Sequence, residues 1–130
     1  MSFALTTEQI RDRSKTVTRR LGWRDLKPGT LLCAVRKAQG LRKGEKVERL
    51  ATIRVADVRR EPLLRLVNDR HYGYREVALE GFADHPQFGS PETFVDMFQD
   101  THECDIYCDV TRIEFEYIAE AEQPVKGDES

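Results

Sequence analysis

The sequence RSKTVTRRLGWR, at residues 13–24, combines a β-branched run with a cluster of basic residues. Its centre, residues 16–18, is typical of a β-strand, because β-branched side chains pack well on a pleated surface. Five basic residues lie within the stretch, close to one aromatic side chain, Trp23. We therefore expect a short strand flanked by positive charge, with a flat aromatic surface near its end.

Further secondary structure is predicted on both sides of this strand. A short helix is expected at 6–13, where threonine precedes Glu8 in a capping pattern. A Lys-Pro-Gly turn signal precedes a predicted strand at 30–36. Residues 48–59 and 109–118 alternate with period two, which predicts two more strands, the last with one wet face.

The middle third of the sequence has mainly helical patterns. Pro62 is predicted at the first position of a helix at 61–67, and further helices are predicted at 76–81 and 91–100. The strands do not alternate regularly with helices, as they do in a parallel sheet. We therefore predict an α+β fold with a mixed, curled sheet, a small barrel, and a helical insertion before the last strand.

Length and composition indicate one small domain. A chain of 130 residues with 39% hydrophobic content can build a single core. We expect residues 1–118 to form this domain and the acidic, small-residue stretch 119–130 to be a disordered tail. The chain has no apolar run of about 18 residues, no signal-peptide pattern and an odd number of cysteines, so we expect a cytoplasmic protein without a membrane partner.

The net charge of −2 conceals a strong asymmetry between the two halves of the chain. Residues 1–60 carry 16 Lys and Arg against 6 Asp and Glu, whereas residues 61–130 carry 5 against 17. Such a bias often marks a surface for a polyanion, because basic side chains release counterions from phosphates. The alternative is that the two halves interleave in space and neutralise each other.

Common catalytic and cofactor motifs are missing from the sequence. It has no GxxxxGK[ST] loop, no GxGxxG fingerprint, no GxSxG elbow and no HExxH helix. His102, Cys104 and Cys108 lie close in sequence, but a structural zinc site requires three or four converging ligands, and the other histidines and Cys33 are remote. We predict neither a metal nor a cofactor.

Four segments, taken in order, resemble the ASCH domains, a branch of the PUA-like superfold. They are KTVTRR at 15–20, LKPGT at 26–30, LEGF at 79–82 and RIEF at 112–115. The resemblance covers roughly residues 5–118, and the segment 17–44 is also similar to uncharacterised stand-alone ASCH proteins of phages and bacteria. Lys15, Thr18 and Arg20 match the family's first motif, whereas Arg13 stands where the family usually has glycine.

The resemblance implies a barrel of five or six strands, flanked by helices, beside a cleft that receives RNA or a nucleobase. The function that we favour is binding of RNA, or of another nucleic acid or nucleobase, in a basic cleft. The residues predicted to contact the nucleic acid are Arg13, Arg19, Arg20, Trp23, Arg24, Lys37, Arg42 and Lys43.

An enzymatic alternative also follows from the resemblance. Some small bacterial ASCH proteins are amidohydrolases that deacylate N4-acetylcytidine, and others are linked to RNA cleavage. If the amidohydrolase chemistry is shared, Thr18 is the nucleophile, Lys15 lowers its barrier as a base or by its charge, and Glu80 passes the proton to the leaving amine. A modified nucleoside would then be the partner.

A third hypothesis is an adaptor that binds a protein through the acidic half. Phe94, Met97 and Phe98 would form an apolar helical stripe for that purpose, although such a stripe is more often core. Nothing in the sequence determines the oligomeric state.

Overall fold

A four-stranded antiparallel sheet and four α-helices make up the computed structural model, which describes residues 1–37, 44 and 47–119. The strands are β1 (Val17–Arg20), β2 (Leu31–Val35), β3 (Arg49–Pro62) and β4 (Asp109–Tyr117). The helices are α1 (Thr7–Arg11), α2 (Arg65–Asn68), α3 (Arg70–Val77) and α4 (Pro91–His102), with a π-helical turn at Ala78–Phe82. The short first helix and all four strands confirm the elements predicted in those parts of the sequence.

The sheet has the order β1-β4-β3-β2 and curls into a half-barrel. The first residues of the chain lie between the two edge strands. Ser2 forms a parallel bridge with Val35 of β2, and Arg20 Nη2 of β1 donates a hydrogen bond to Ser2 O at 2.7 Å. The described residues therefore contain four strands and this single bridge, rather than the five or six strands that were predicted.

A β-bulge between Val55 and Asp57 changes the direction of side chains in β3. Strict alternation along 48–59 predicts that Val55 and Val58 point to opposite faces. In the structure Val55 pairs with Phe115 and Val58 with Ile113, two residues apart on one strand, so both valines share a face. The prediction of faces was therefore wrong beyond the bulge, because a bulge inserts one residue into the period of two.

Two boundaries in the middle third differ from the prediction. Pro62 is the last residue of β3 and not the first of a helix, because proline has no N–H and can end a strand ladder. The third helix begins at Arg70 and not, as predicted, at residue 76. At its start the Asp69 side chain accepts a hydrogen bond from Tyr72 N at 3.1 Å. It passes into the π-helical turn, in which Gly81 has a φ of 103°.

The apolar stripe of α4 belongs to the core. Phe94 and Phe98 are buried, and Met97 is partly buried against the same cluster, which also contains Leu63, Leu66 and Tyr72. The stripe is therefore not an exposed docking surface of the kind that the adaptor hypothesis requires. None of the helices in the described parts of the chain is both long and apolar enough to span a lipid bilayer.

Candidate functional site

Lys15 and Glu80, two of the three predicted catalytic residues, are in direct contact. Lys15 Nζ donates to Glu80 Oε1 at 2.9 Å and to the Glu80 carbonyl oxygen at 2.8 Å. The two side chains are each only 4% exposed. The predicted convergence of this pair is therefore present, inside the protein rather than in an open cleft.

The local backbone explains why these two residues meet. Thr16 N donates to Leu79 O at 2.9 Å, which joins the start of β1 to the π-helical turn. Gly81 favours this turn, because its φ is positive and an added Cβ would lie only 3.0 Å from the Cβ and Cγ of Gln9 in α1. The turn thus holds Glu80 against Lys15.

Burial lowers the pKa of the Lys15 ammonium below its ordinary value. The nearby Glu80 carboxylate opposes this effect, whereas the positive charges of Arg20 and Arg19 add to it. The net direction is the one that a lysine needs to act as a base near neutral pH.

Thr18, the third predicted catalytic residue, is engaged elsewhere. Its side chain is buried, and its Oγ1 accepts a hydrogen bond from Arg20 Nε at 3.2 Å. Among the described residues it forms no hydrogen bond with Lys15 or Glu80. The structure therefore brings together a lysine-glutamate pair, with the threonine oriented by a neighbouring arginine.

Arg19 lies at the centre of a buried ion cluster. Its guanidinium donates to Glu76 Oε1 at 2.6 Å, to Glu61 Oε2 at 2.8 Å and to Glu80 Oε2 at 3.1 Å. The Arg19 side chain has no exposed area. We call the following set the buried ion cluster: Lys15, Arg19, Glu61, Glu76, Glu80 and Arg112.

Opposite charges in this cluster set the protonation of its members. Burial alone would raise the pKa of Glu76, but hydrogen bonds from Arg112 and Arg19 outweigh it and lower the pKa. Glu61 behaves alike: hydrogen bonds from Arg19 and Tyr72 more than offset burial, so its pKa is also lowered. These carboxyls are therefore held as anions beneath the helices.

Glu61, Glu76, Tyr72 and Arg112 were not predicted as site residues. The alternation of the last strand puts Arg112 on the same face as the exposed Glu114 and Glu116, yet Arg112 is buried and donates to Glu76 from Nε at 2.6 Å and from Nη2 at 3.1 Å. In the sheet it lies directly opposite Arg19. The sequence signal that could have indicated this site is the pair of arginines at facing positions of two neighbouring strands. Two positive charges so close together are stable inside a protein only if buried anions neutralise them.

The exposed cations predicted to bind nucleic acid do not form one patch. Arg13 is exposed before β1, with its Cζ 5.5 Å from the centre of the Tyr117 ring, whereas Trp23 and Arg24 are exposed after that strand. Arg20 is half-buried and bonded to Ser2 O. Lys37 is partly buried, and Arg42 and Lys43 lie outside the described residues.

An open groove of about 440 Å³ runs beside the buried pair. Its wall includes Ser14 and Gly81, the chain neighbours of Lys15 and Glu80, together with Asp12, Asp84 and His85. The two carboxylates give this groove a negative character, which does not suit phosphate. Lys15 and Glu80 themselves do not line this groove.

The architecture is that of an α+β domain with a curled half-barrel. No family model matches the sequence, and no curated protein matches it. Two solved structures share its fold: an ASCH domain from Lactobacillus crispatus, and a protein from Enterococcus faecalis described by the family model DUF984. The first is 15% identical with a TM-score of 0.51, over 87% of this chain and 70% of that one. The second is 14% identical with a TM-score of 0.52, over 95% and 74%.

The ASCH resemblance predicted from the sequence is thus confirmed at the level of the fold. At sequence identities of 14% and 15%, the similarity shows a shared fold and does not show which residues of this chain are functional.

Proposed function

We propose that this chain is a nucleic-acid-binding domain of the ASCH type, which contacts RNA or another nucleic acid through the exposed end of β1. The observation that carries the proposal is the surface formed by Trp23 and Arg24. The indole is 42% exposed, and the described residues offer Arg24 no ion pair. An exposed arginine that directly follows an exposed tryptophan in the sequence suits a phosphate next to a stacked base.

The other predicted cations do not form one patch with Trp23 and Arg24, and they enter the proposal on different grounds. Arg13 has no ion pair with a described carboxylate and lies at the far end of the same strand. Arg42 and Lys43 remain in the proposal on the basis of the sequence, as does Lys37. We leave Arg19 out, because its guanidinium is enclosed by three glutamates of the chain itself.

The proposal can be tested with the protein's own fluorescence, because Trp23 is the single tryptophan. Titration with an oligouridylate of about 12 nucleotides should quench the emission if a base stacks on the indole. Trp23→Ala should weaken binding of a labelled oligonucleotide by about 1–3 kcal/mol, and Arg24→Ala by about fivefold at 0.1 M salt. Arg54→Ala, which removes a half-buried arginine of β3, is the charge-matched control. Absence of binding at low salt would refute the proposal.

A second candidate function is an amidohydrolase for N4-acylated cytidines, or a ribonuclease. It is favoured by one observation, the 2.9 Å contact of a buried lysine of lowered pKa with a glutamate. In this reaction the Thr18 oxygen would attack the acyl carbon while Lys15 accepts its proton, and Glu80 would deliver a proton to the departing amine. The acyl group would then leave Thr18 by hydrolysis.

This chemistry requires Thr18 to exchange its Arg20 contact for one with Lys15, and the pair to become accessible. Incubation with N4-acetylcytidine, followed by chromatography, tests it directly. Cytidine release that Lys15→Met and Glu80→Gln both abolish would support the enzyme, provided that both variants keep the far-ultraviolet circular dichroism of the parent. No release at high enzyme concentration would leave nucleic-acid binding as the function.

A further inference from the structure

Helix α3 exposes only basic, aromatic and histidine side chains, although it belongs to the acidic half of the chain. Its outward residues are Arg70, His71, Tyr74 and Arg75, while Tyr72, Gly73, Glu76 and Val77 are buried. The spacing of the outward set places it along one side of the helix. The single carboxylate of α3 is turned inward, so its outer face is positive.

Two arginines from outside α3, Arg59 and Arg65, join Arg75 in contacts with the Tyr72 side chain. The Cζ atoms of Arg65 and Arg75 lie 4.0 and 5.3 Å from the centre of its ring. Arg59 Nη2 donates to the Tyr72 hydroxyl at 2.7 Å. A strand and two helices thus each contribute a guanidinium around one buried ring, and all three side chains are at least 40% exposed.

The two carboxylates next to these arginines, those of Glu61 and Glu76, are already neutralised by buried arginines. Glu76 accepts three hydrogen bonds from Arg19 and Arg112. Its contact with Arg75 is loose, at 4.0 Å. Glu61 binds Arg59 and Arg65, but it also binds Arg19. Arg59 has a second carboxylate partner, since its Nη1 lies 3.8 Å from Asp57 Oδ2. Arg65 and Arg75 therefore keep the most donors and uncompensated charge for an external anion.

Tyr74 adds an aromatic surface to the same face. Tyr74 is 48% exposed, and its hydroxyl accepts a hydrogen bond from Arg70 Nη2 at 3.2 Å. Arg70 is itself held by an ion pair with Glu92. The ring is thus oriented by an anchored neighbour while much of it faces solvent.

We propose that this face, formed by Arg59, Arg65, Tyr74 and Arg75, is a second binding surface for single-stranded nucleic acid. The guanidiniums contact phosphates and the tyrosine stacks on a base. The proposal rests on the proposed function, because it assumes that the domain binds nucleic acid. It adds a surface in the half of the sequence that carries the negative charge, distinct from the Trp23 end of β1.

Arg75→Ala and Tyr74→Ala test the surface with little risk to folding, since both side chains project from the exposed side of a helix. The probe is a fluorescein-labelled oligouridylate of about 12 nucleotides, long enough for one single-strand site. For single strands the logarithm of the binding constant falls by about 0.7 per phosphate contact for each tenfold rise in salt. Arg75→Ala should therefore reduce the salt slope by about 0.7 and the affinity at 0.1 M salt by about fivefold. Tyr74→Ala should reduce the affinity at least about fivefold and leave the slope unchanged.

Arg54→Ala is the matched control, because it removes a half-buried arginine of β3 that pairs with Glu116 and does not belong to this face. Suppose that Trp23→Ala binds more weakly than the parent protein, while Arg75→Ala and Tyr74→Ala bind as tightly as Arg54→Ala. The second surface is then wrong and the proposed function stands. If the arginine variant weakens binding and the tyrosine variant does not, the face binds polyanions without stacking, which overturns the single-strand assignment. If the parent does not bind, both proposals fail.

Discussion

Removal of the Glu76 carboxylate should destabilise the fold more than removal of any exposed acidic residue. In Glu76→Ala, the buried Arg112 loses the acceptor of its Nε and Nη2 hydrogen bonds, at 2.6 and 3.1 Å. Arg19 loses the nearest of its three glutamates. The free energy of unfolding should fall, because both guanidiniums remain buried with fewer anions around them.

The magnitude follows from the burial of these partners. Breaking a buried ion pair by deletion of one partner typically costs about 3–5 kcal/mol, since an uncompensated charge is left inside the protein. The total stability of a small domain is about 5–15 kcal/mol, so the loss is a large share of it. With a urea m-value of about 2 kcal/mol/M, the midpoint of unfolding should move down by about 2 M.

Urea denaturation followed by circular dichroism measures this shift. Glu116→Ala is the matched control, because it also removes one glutamate from an arginine pair, at 2.8 Å, but on the surface. The exposed pair should contribute at most about 1 kcal/mol. Equal shifts in the two variants would refute the reasoning, since they would show that Glu76 is as well solvated as Glu116.

Two further predictions concern packing and pH. Gly73→Ala should cost about 3 kcal/mol in thermal or urea unfolding, because the new Cβ would lie 2.0 Å from Leu66 O, whereas Gly22→Ala, with nothing within 4 Å, should change stability by about 0.5 kcal/mol or less. Stability should fall as the pH drops below about 4.5, the ordinary pKa of glutamate. The pKa of Glu61 and of Glu76 is lowered on folding, so the unfolded chain takes up protons first. An acid titration of Glu76→Gln should show a shallower loss than the parent, and an equal slope would contradict the assignment.

The strands and the last helix could be predicted because their signals are local. Alternation and β-branched residues identified β1 to β4 within a few residues, and the Ser-Pro start of α4 forms a capping box between Ser90 and Thr93. The bulge at Val55 and the bridge at Ser2 were not predictable in this way. Both depend on how distant strands meet when the sheet curls, which no local period encodes.

Of the candidate site, the contact between Lys15 and Glu80 was predicted, and it was predicted from a family resemblance rather than from a local pattern. Lys15 and Glu80 are 65 residues apart, and only the ASCH resemblance indicated that they meet. Glu61 and Glu76 carry no motif, and in sequence they are ordinary acidic residues of a helical region. Their role arises from Arg19 and Arg112, which face each other across β1 and β4 and both require buried anions.

The charge asymmetry of the sequence therefore does not map onto two surfaces of opposite sign. The basic half sends Lys15 and Arg19 into the interior, where glutamates of the acidic half neutralise them. The interleaving considered from the sequence is thus real at the centre of the fold. Glu76, the single carboxylate of α3, is buried with Arg19, so the exposed charged side chains of this helix are Arg70 and Arg75. A net charge of −12 in residues 61–130 is compatible with a cationic helix face, since what a ligand meets is the charge left unpaired at the surface.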